Sequence, residues 1–413
     1  MTLTTAPPAA ATVRAATAAT FTAFIGSGFA FASWAARIPQ VRDRLHLSPG
    51  TLGLVLLAVA AGSLLALPLS GPLVTRFGSA TTVRVMAVVL GVGLATAAFG
   101  SLVGVVPVVV GLVLLGFGNG AWDVAMNVQG TVVERHLGRS IMSRFHAGFS
   151  LGTVAGALLG AAMVATHVSV AVHLTAVAVV VAASVSWSAR RFVPDHDDTE
   201  PVSTGQPARS SALTAWREPR TLLVGVFVLA FAFAEGTGND WISVATIDDR
   251  HVPAALGTLA FAGFLFAMTV GRWVGPGLLD RYGRVPVVRT FALIGIAGAL
   301  LFVFGPSPVY AFGTLLWGGG VSLGFPVGMS AGADDPRRAA ARVSVIASIG
   351  YCAFLGGPPT IGFLGDHVTV LRALTLVAVL LGLATLLATS VRPLDTGDAS
   401  APRDDRRAAT RSG

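Results

Sequence analysis

Several polar side chains of this chain sit inside stretches that are otherwise apolar. Asn119, Asp123 and Asn127 recur every four residues within the apolar run 105–130. On a helix that spacing lines them up as one polar stripe. Glu235 and Asn239 repeat the four-residue interval within 221–246, with Asp240 next to them and Gly236 and Gly238 on either side of Thr237. Arg272 interrupts the run 254–279, and His146 stands near the start of 143–166. A charged group in such surroundings is costly to keep, and by default it faces a cavity or a partner. Desolvation brings proton binding and release near neutral pH within chemical reach of Asp123, and His146 is a candidate relay. Glu235, Asn239, Asn119 and Asn127 can hold a polar solute by hydrogen bonds. Trp34, Trp241, Trp317 and Tyr351 can stack on sugar faces. The competing readings are structural: carboxylates bonded to neighbouring helices, Arg272 in an ion pair, His146 in an interfacial hydrogen bond, and tryptophans at a membrane boundary.

Those residues need elements to position them. Apolar residues make up 54% of the chain and charged residues 12%, with 49 glycines. A soluble domain of this size cannot hide so much apolar surface, whereas lipid can cover it. Apolar stretches of about 20 residues, enough to cross ~30 Å of hydrocarbon, recur near 15–36, 51–70, 82–100, 105–130, 143–166, 169–189, 221–246, 254–279, 287–305, 308–331, 343–365 and 368–391. A backbone in lipid must satisfy its own hydrogen bonds, so twelve transmembrane helices of an all-α membrane protein are expected. By length, Asp123 lies about 10–12 Å from one end of its helix and Glu235 about 22 Å along its own.

The chain also repeats itself. Thr75-Arg76-Phe77-Gly78 with Val83-Arg84 returns as Asp280-Arg281-Tyr282-Gly283 with Val288-Arg289, 205 residues later. Gly116, Gly118, Gly148 and Gly160 return as Gly318, Gly320, Gly350 and Gly362, 202 residues later, and Ser33-Trp34 as Asp240-Trp241 after 207. The expectation is two pseudo-symmetric six-helix halves, 15–189 and 221–391, with the site between them.

Arginine sets the orientation, because the chain has no lysine: 22 arginines fall in one set of loops and 5 in the other, with Arg272 inside a span. The positive-inside rule puts both termini and the 190–220 connection in the cytoplasm. Residues 1–14 and 392–413 read as disordered arms, and 190–220 as a linker. The net charge of +8 is thus a topology signal, and no nucleic-acid partner is expected. Without lysine there is no phosphate-binding Gly-x-x-x-x-Gly-Lys loop, which argues against a primary pump. The lone Cys352 excludes an internal disulfide and reads as a small core residue. No cofactor, metal or enzymatic activity is expected. The expected partners are a small solute, protons and the lipid bilayer, and a monomer in a bacterial cytoplasmic membrane is the simplest state.

The loops 71–84 and 275–289 resemble the signature of the major facilitator superfamily between its second and third, and eighth and ninth, helices. Asp280, Arg281, Gly283 and Arg284 match the pattern in the second copy; in the first, Gly71, Arg76 and Gly78 match, and Thr75 replaces the acid. The resemblance implies alternating access by rocking halves, with Arg76, Asp280 and Arg281 in gating loops and a weaker latch at Thr75. Residues 116–127, with Arg139 to Gly148, resemble the fucose-permease-like branch and its bacterial rhizopine-transport (Mos-type) relatives. That likeness implies a proton carried by Asp123, four residues before Asn127, although the branch's second carboxylate in the first helix has no counterpart here. A proton symporter of a sugar or cyclitol-like solute follows. Proton-driven efflux of amphipathic compounds is the alternative, although Gly152 to Gly160 lacks the Gly-Pro-x-x-Gly-Gly run of such exporters. A receptor or scaffold on a transporter fold is the alternative of another class. Finally, Arg37 and Asp240 follow Trp34 and precede Trp241 near the outer ends of the first and seventh spans, so an Arg37–Asp240 ion pair is expected to close the external side.

Overall fold

The computed structural model describes residues 10–139, 141–195, 214–335 and 338–394, and among these the regular elements are helical. In chain order they are α1 (Ala10–Ala35), α2 (Ile38–Leu45), α3 (Pro49–Gly100), α4 (Val105–Leu137), α5 (Met142–Ala165), α6 (Val170–Ser188), α7 (Pro219–Arg250), α8 (Ala254–Tyr282), α9 (Arg284–Phe304), α10 (Tyr310–Val321), α11 (Gly324–Gly332), α12 (Ala339–Val368), α13 (Val370–Ala373) and α14 (Thr375–Leu387). Ten helical stretches are long and apolar enough to cross a membrane. Large apolar side chains such as Val106, Val179, Phe312 and Leu386 are exposed on the outside of the bundle, a surface that lipid can cover at no hydrophobic cost.

The expected stretches are largely helical; 308–331 is broken into α10 and α11, and three further outlines differ. The alanine-rich start lets α1 begin at Ala10, so residues 10–14 of the expected arm are helical. Ile38–Leu45 forms a separate short helix, α2, opened by Pro39 in its first turn. The 52-residue α3 runs through the first signature loop and bends at Gly78. The remainder of the expected arm, linker and tail (1–9, 196–213 and 395–413) lies outside the described residues.

The duplication seen in the sequence is a duplication of backbone geometry. Gly78 has φ 79° and ψ 159°, and Gly283, 205 residues later, has φ 78° and ψ 164°, a region open essentially to glycine alone. Helix contacts repeat as well. A Cβ on Gly116 would collide with the Val59 carbonyl, and one on Gly318 with the Phe264 carbonyl, again 205 residues on from Val59. Side-chain-free crossings of this kind let two helix backbones touch.

Helices α1, α3, α4, α5 and α6 pack on one another, as do α7, α8, α9, α10, α12 and α14. The two groups meet along α3 against α12 and α5 against α8. The turns after α1, α5, α7 and α12 lie at one end of the bundle, which carries few arginines, and the bends at Gly78 and Gly283 lie at the arginine-rich end.

Candidate functional site

The polar stripe of α4 faces inward, toward the seam between the groups. Asn119 is fixed by α1, whose Ser27 Oγ donates to Asn119 Oδ1 at 2.8 Å. Asn127 Nδ2 donates back to the Asp123 carbonyl at 2.8 Å and lies 3.4 Å from Asp123 Oδ1. Among the described residues Asp123 has no cationic partner, and it is exposed even though it sits in the middle of a 33-residue apolar helix. Across the gap, Tyr351 of α12 is 36% exposed and within Coulombic reach of Asp123. Two polar groups on facing helices are both exposed, so an open space lies between α4 and α12. Cys352, the next residue, is exposed rather than a core residue as expected, and its Sγ donates to the Ser348 carbonyl at 3.3 Å.

A second polar group crosses from α7 to α8. Arg272 Nη2 donates to Glu235 Oε1 at 2.8 Å, so the ion pair considered for Arg272 exists and its partner is Glu235. His146 of α5 is exposed, packs edge-on against Phe24 at 5.1 Å between ring centroids, and lies within Coulombic reach of Arg272. The side-chain oxygen of Asn239 is buried without a partner, as is the Thr237 hydroxyl two residues earlier. Asp240 is partly buried and makes no hydrogen bond or ion pair among the described residues. Trp317 is not a cavity-lining group. It is fully buried, its Nε1 donates to the Ala234 carbonyl at 3.2 Å, and it packs on Phe264 and Phe302. Trp34 and Trp241 are buried too.

The arginine-poor end is closed, although not by the expected pair. Arg37 does not reach Asp240: Arg37 Nε donates to His173 Nδ1 at 3.0 Å and Nη2 to the Val168 carbonyl at 2.8 Å. The ion pair that joins the two helix groups is Arg42–Asp248, with Nη2 2.7 Å from Oδ1 and Nη1 on Oδ2. Helix α2 is the reason. It carries the chain past Arg37 and presents Arg42 to the last turn of α7. Beside it, the Gly50 amide of α3 donates to Asp366 of α12 at 3.1 Å. Sequence reasoning passed over Asp248; its separation of 206 residues from Arg42 is the repeat interval and was the available signal.

The arginine-rich end carries the two signature loops. Thr75 Oγ1 donates to the Gly71 and Pro72 carbonyls of its own helix, both at 3.1 Å. Asp280 is exposed without a bonded partner among the described residues. Arg76 and Arg281 each lie over the adjacent ring, Phe77 at 5.3 Å and Tyr282 at 5.2 Å. The carboxylate that organises this end is Asp334, which takes Arg220 at 2.9 Å and Arg284 at 2.7 Å. Next to it Glu218 accepts from Arg342 at 2.6 Å, Arg338 at 2.9 Å and Thr221 at 2.9 Å. The Arg342 hydrogen bond, aided by those of Thr221 and Arg338, holds the Glu218 carboxyl below the usual glutamate range.

Helical groups meeting along two seams, with polar groups in the space between, define a multi-pass membrane protein of the transporter class. The Major Facilitator Superfamily profile matches residues 16–356, and the chain belongs to that family. It is 30% identical over 377 residues to the uncharacterized transporter y4wD of Sinorhizobium fredii, covering 88% of this chain and 95% of that one. It is 27% identical over 361 residues to the membrane protein MosC of Rhizobium meliloti, covering 87% and 85% respectively. Among solved structures, the Escherichia coli fucose:proton symporter FucP superposes with a TM-score of 0.62 at 15% identity, covering 91% of this chain and 98% of that one. A bacterial homolog of the human lysosomal transporter Spinster, inward-facing and unoccupied, gives 0.72 at 12% identity, covering 93% and 99%. These last two likenesses describe the fold.

Proposed function

We propose that the protein is a proton-coupled symporter that takes up a sugar or cyclitol-like solute by alternating access. The ten long stretches, with α3 counted as two at Gly78 and α10–α11 as one broken crossing, make twelve crossings in two six-helix halves. The arginine-rich end, with both termini, faces the cytoplasm of a bacterial cell. Closure at Arg42–Asp248 and the exposed Asp123 then correspond to an inward-open state.

The observation that carries this reading is Asp123: a carboxylate at mid-span, without an ion-pair partner among the described residues, open to the gap and opposite Tyr351. Such a group exchanges protons with whichever side is open, and its charge changes what the gap holds most tightly. Asn119, Asn127, Asn239, Tyr351 and the Glu235–Arg272 pair supply hydrogen-bond donors and acceptors for a polyhydroxylated solute, with His146 close to the pair. The likeness to FucP, a fucose:proton symporter, supports the same class. Proteoliposomes containing the purified protein test it. An inwardly directed proton gradient should drive accumulation of a labelled sugar or cyclitol, and adding that solute should alkalinise the medium. Gradient-driven expulsion of amphipathic cations, with no response to any polyol, would replace this reading with efflux.

A further inference from the structure

A cavity of about 570 Å³ opens at the arginine-poor end, away from the α4–α12 gap. Its wall is built from three places in the chain: Arg37, Gln40 and Arg44 around α2, the α5–α6 turn with His167 and Ser169, and Pro253 to Ala255 at the α7–α8 turn. The wall holds two arginines and a histidine and no carboxylate. The neighbouring acids are engaged elsewhere, Asp43 and Asp248 with Arg42 and Asp249 with the Leu371 amide.

Arg37 is 2% exposed, and both its hydrogen-bond acceptors, His173 Nδ1 and the Val168 carbonyl, are uncharged. Among the described residues its Nη1 makes no hydrogen bond. A buried guanidinium without a counter-charge is expensive unless an anion completes it. Arg44 is exposed and makes no ion pair among the described residues. Two helices begin in the same wall, α6 at Val170 behind its Ser169 cap and α8 at Ala254 behind Pro253. Both helix starts carry the positive end of the helix dipole, although Ser169 Oγ already takes the Val172 amide at 3.3 Å and the Pro253 carbonyl the Leu256 amide at 2.9 Å. One further atom asks for a donor: the Gln40 side-chain oxygen is buried without a partner.

We propose that this cavity binds an oxyanion of the phosphate class that also carries a hydroxyl. The anion would sit between the Arg37 and Arg44 guanidinium groups with its hydroxyl on Gln40. Hydrogen phosphate and a hydroxyl-bearing phospholipid headgroup share that chemistry. The α7–α8 turn belongs to one helix group and the remaining wall to the other, so an anion held there bridges the seam beside Arg42–Asp248 and stabilises the closed form of this end.

The test uses the full chain, purified in neutral detergent and stripped of lipid. Thermal unfolding is followed against inorganic phosphate at constant ionic strength, and separately against phosphatidylglycerol with phosphatidylcholine as the uncharged-headgroup control. A saturable rise in Tm is expected for the wild type. Its half-saturation should weaken at least tenfold in Arg44→Gln, which loses no protein contact and should fold, and in Arg37→Gln. Arg372→Gln, an arginine of the same end outside the cavity, should respond like the wild type. Stabilisation by phosphate alone assigns a soluble anion, and stabilisation by phosphatidylglycerol but not phosphate assigns a lipid headgroup. An unchanged response in Arg44→Gln, an equal loss in Arg372→Gln, or no saturable response to either ligand overturns the site.

Discussion

Asp123 and Glu235 are both carboxylates in the middle of membrane helices, yet their surroundings give them opposite properties. Asp123 has no cation beside it among the described residues, so its charge can change without breaking an ion pair there. Asp123→Asn keeps the side chain's shape and removes its titration. Solute accumulation against a gradient should disappear in this variant while counterflow exchange persists, both measured in proteoliposomes. Glu235 is committed to Arg272 at 2.8 Å. Glu235→Gln strands a half-buried guanidinium and should lower stability by about 1.5–3 kcal/mol, the range of a charged hydrogen bond. Adding Arg272→Gln should restore part of that loss, and a double-mutant cycle on Tm should return a coupling above ~0.5 kcal/mol. Fully additive effects would mean that the pair contributes nothing to the fold. The four-residue spacing in α4 and the position of Glu235 were legible in the sequence because each depends on a single helix. The Glu235–Arg272 partnership was not, because it depends on how α8 is rotated against α7.

At the scale of elements, the repeat was the most legible feature, and Gly78 and Gly283 show why. A bend in a backbone region that strongly favours glycine leaves a glycine at the same place in both copies. Gly283→Ala should therefore cost about 1–3 kcal/mol, the price of holding a side chain in that region. Gly277→Ala, in the adjoining helix with open space around its Cα, should be neutral or stabilise by up to ~1 kcal/mol. Equal Tm values for the two variants would rule out the backbone explanation. Helix α2 was illegible for a related reason: it is too short and too polar to register as a span, and it has no long counterpart after α7. Missing it shifted the expected external ion pair from Arg42–Asp248 to Arg37–Asp240. The helix start at Pro219 gives a pH-dependent prediction. Its Glu218 has a lowered native pKa, so the ionised cluster stabilises the fold fully above the unfolded glutamate range near ~4.3 and loses that contribution as pH falls through the lower native value. The Tm gap between wild type and Glu218→Gln should be on the order of 1 kcal/mol equivalent at pH 7 and close as the pH drops below about 4. A gap that does not vary with pH would assign the effect to packing instead.

For the whole molecule, Arg42–Asp248 connects two bodies, so its strength sets an equilibrium between states more than the stability of either. Part of the pair is open to water, which holds its net contribution to about 1 kcal/mol or less. Such a bias still changes the ratio of two balanced states about fivefold. Asp248→Asn should therefore favour the form open at the arginine-poor end. An inhibitor or antibody fragment that binds only that form should bind the variant up to about fivefold more tightly. The exchanged pair, Arg42→Asp with Asp248→Arg, should return the affinity toward wild type. If the single and exchanged variants bind alike, the pair does not govern the balance.

The chain's lone thiol also has a practical use. Cys352 is exposed on α12, next to Tyr351, the residue within Coulombic reach of Asp123. With no other sulfhydryl in the sequence, a membrane-impermeant maleimide can label this protein at a single place. The rate of that labelling, measured from either face of a sealed vesicle, acts as a clock for which mouth is open and needs no engineered residue. Protection by an added compound would identify it as an occupant of the gap, so the unmodified protein can be used to screen for its own solute.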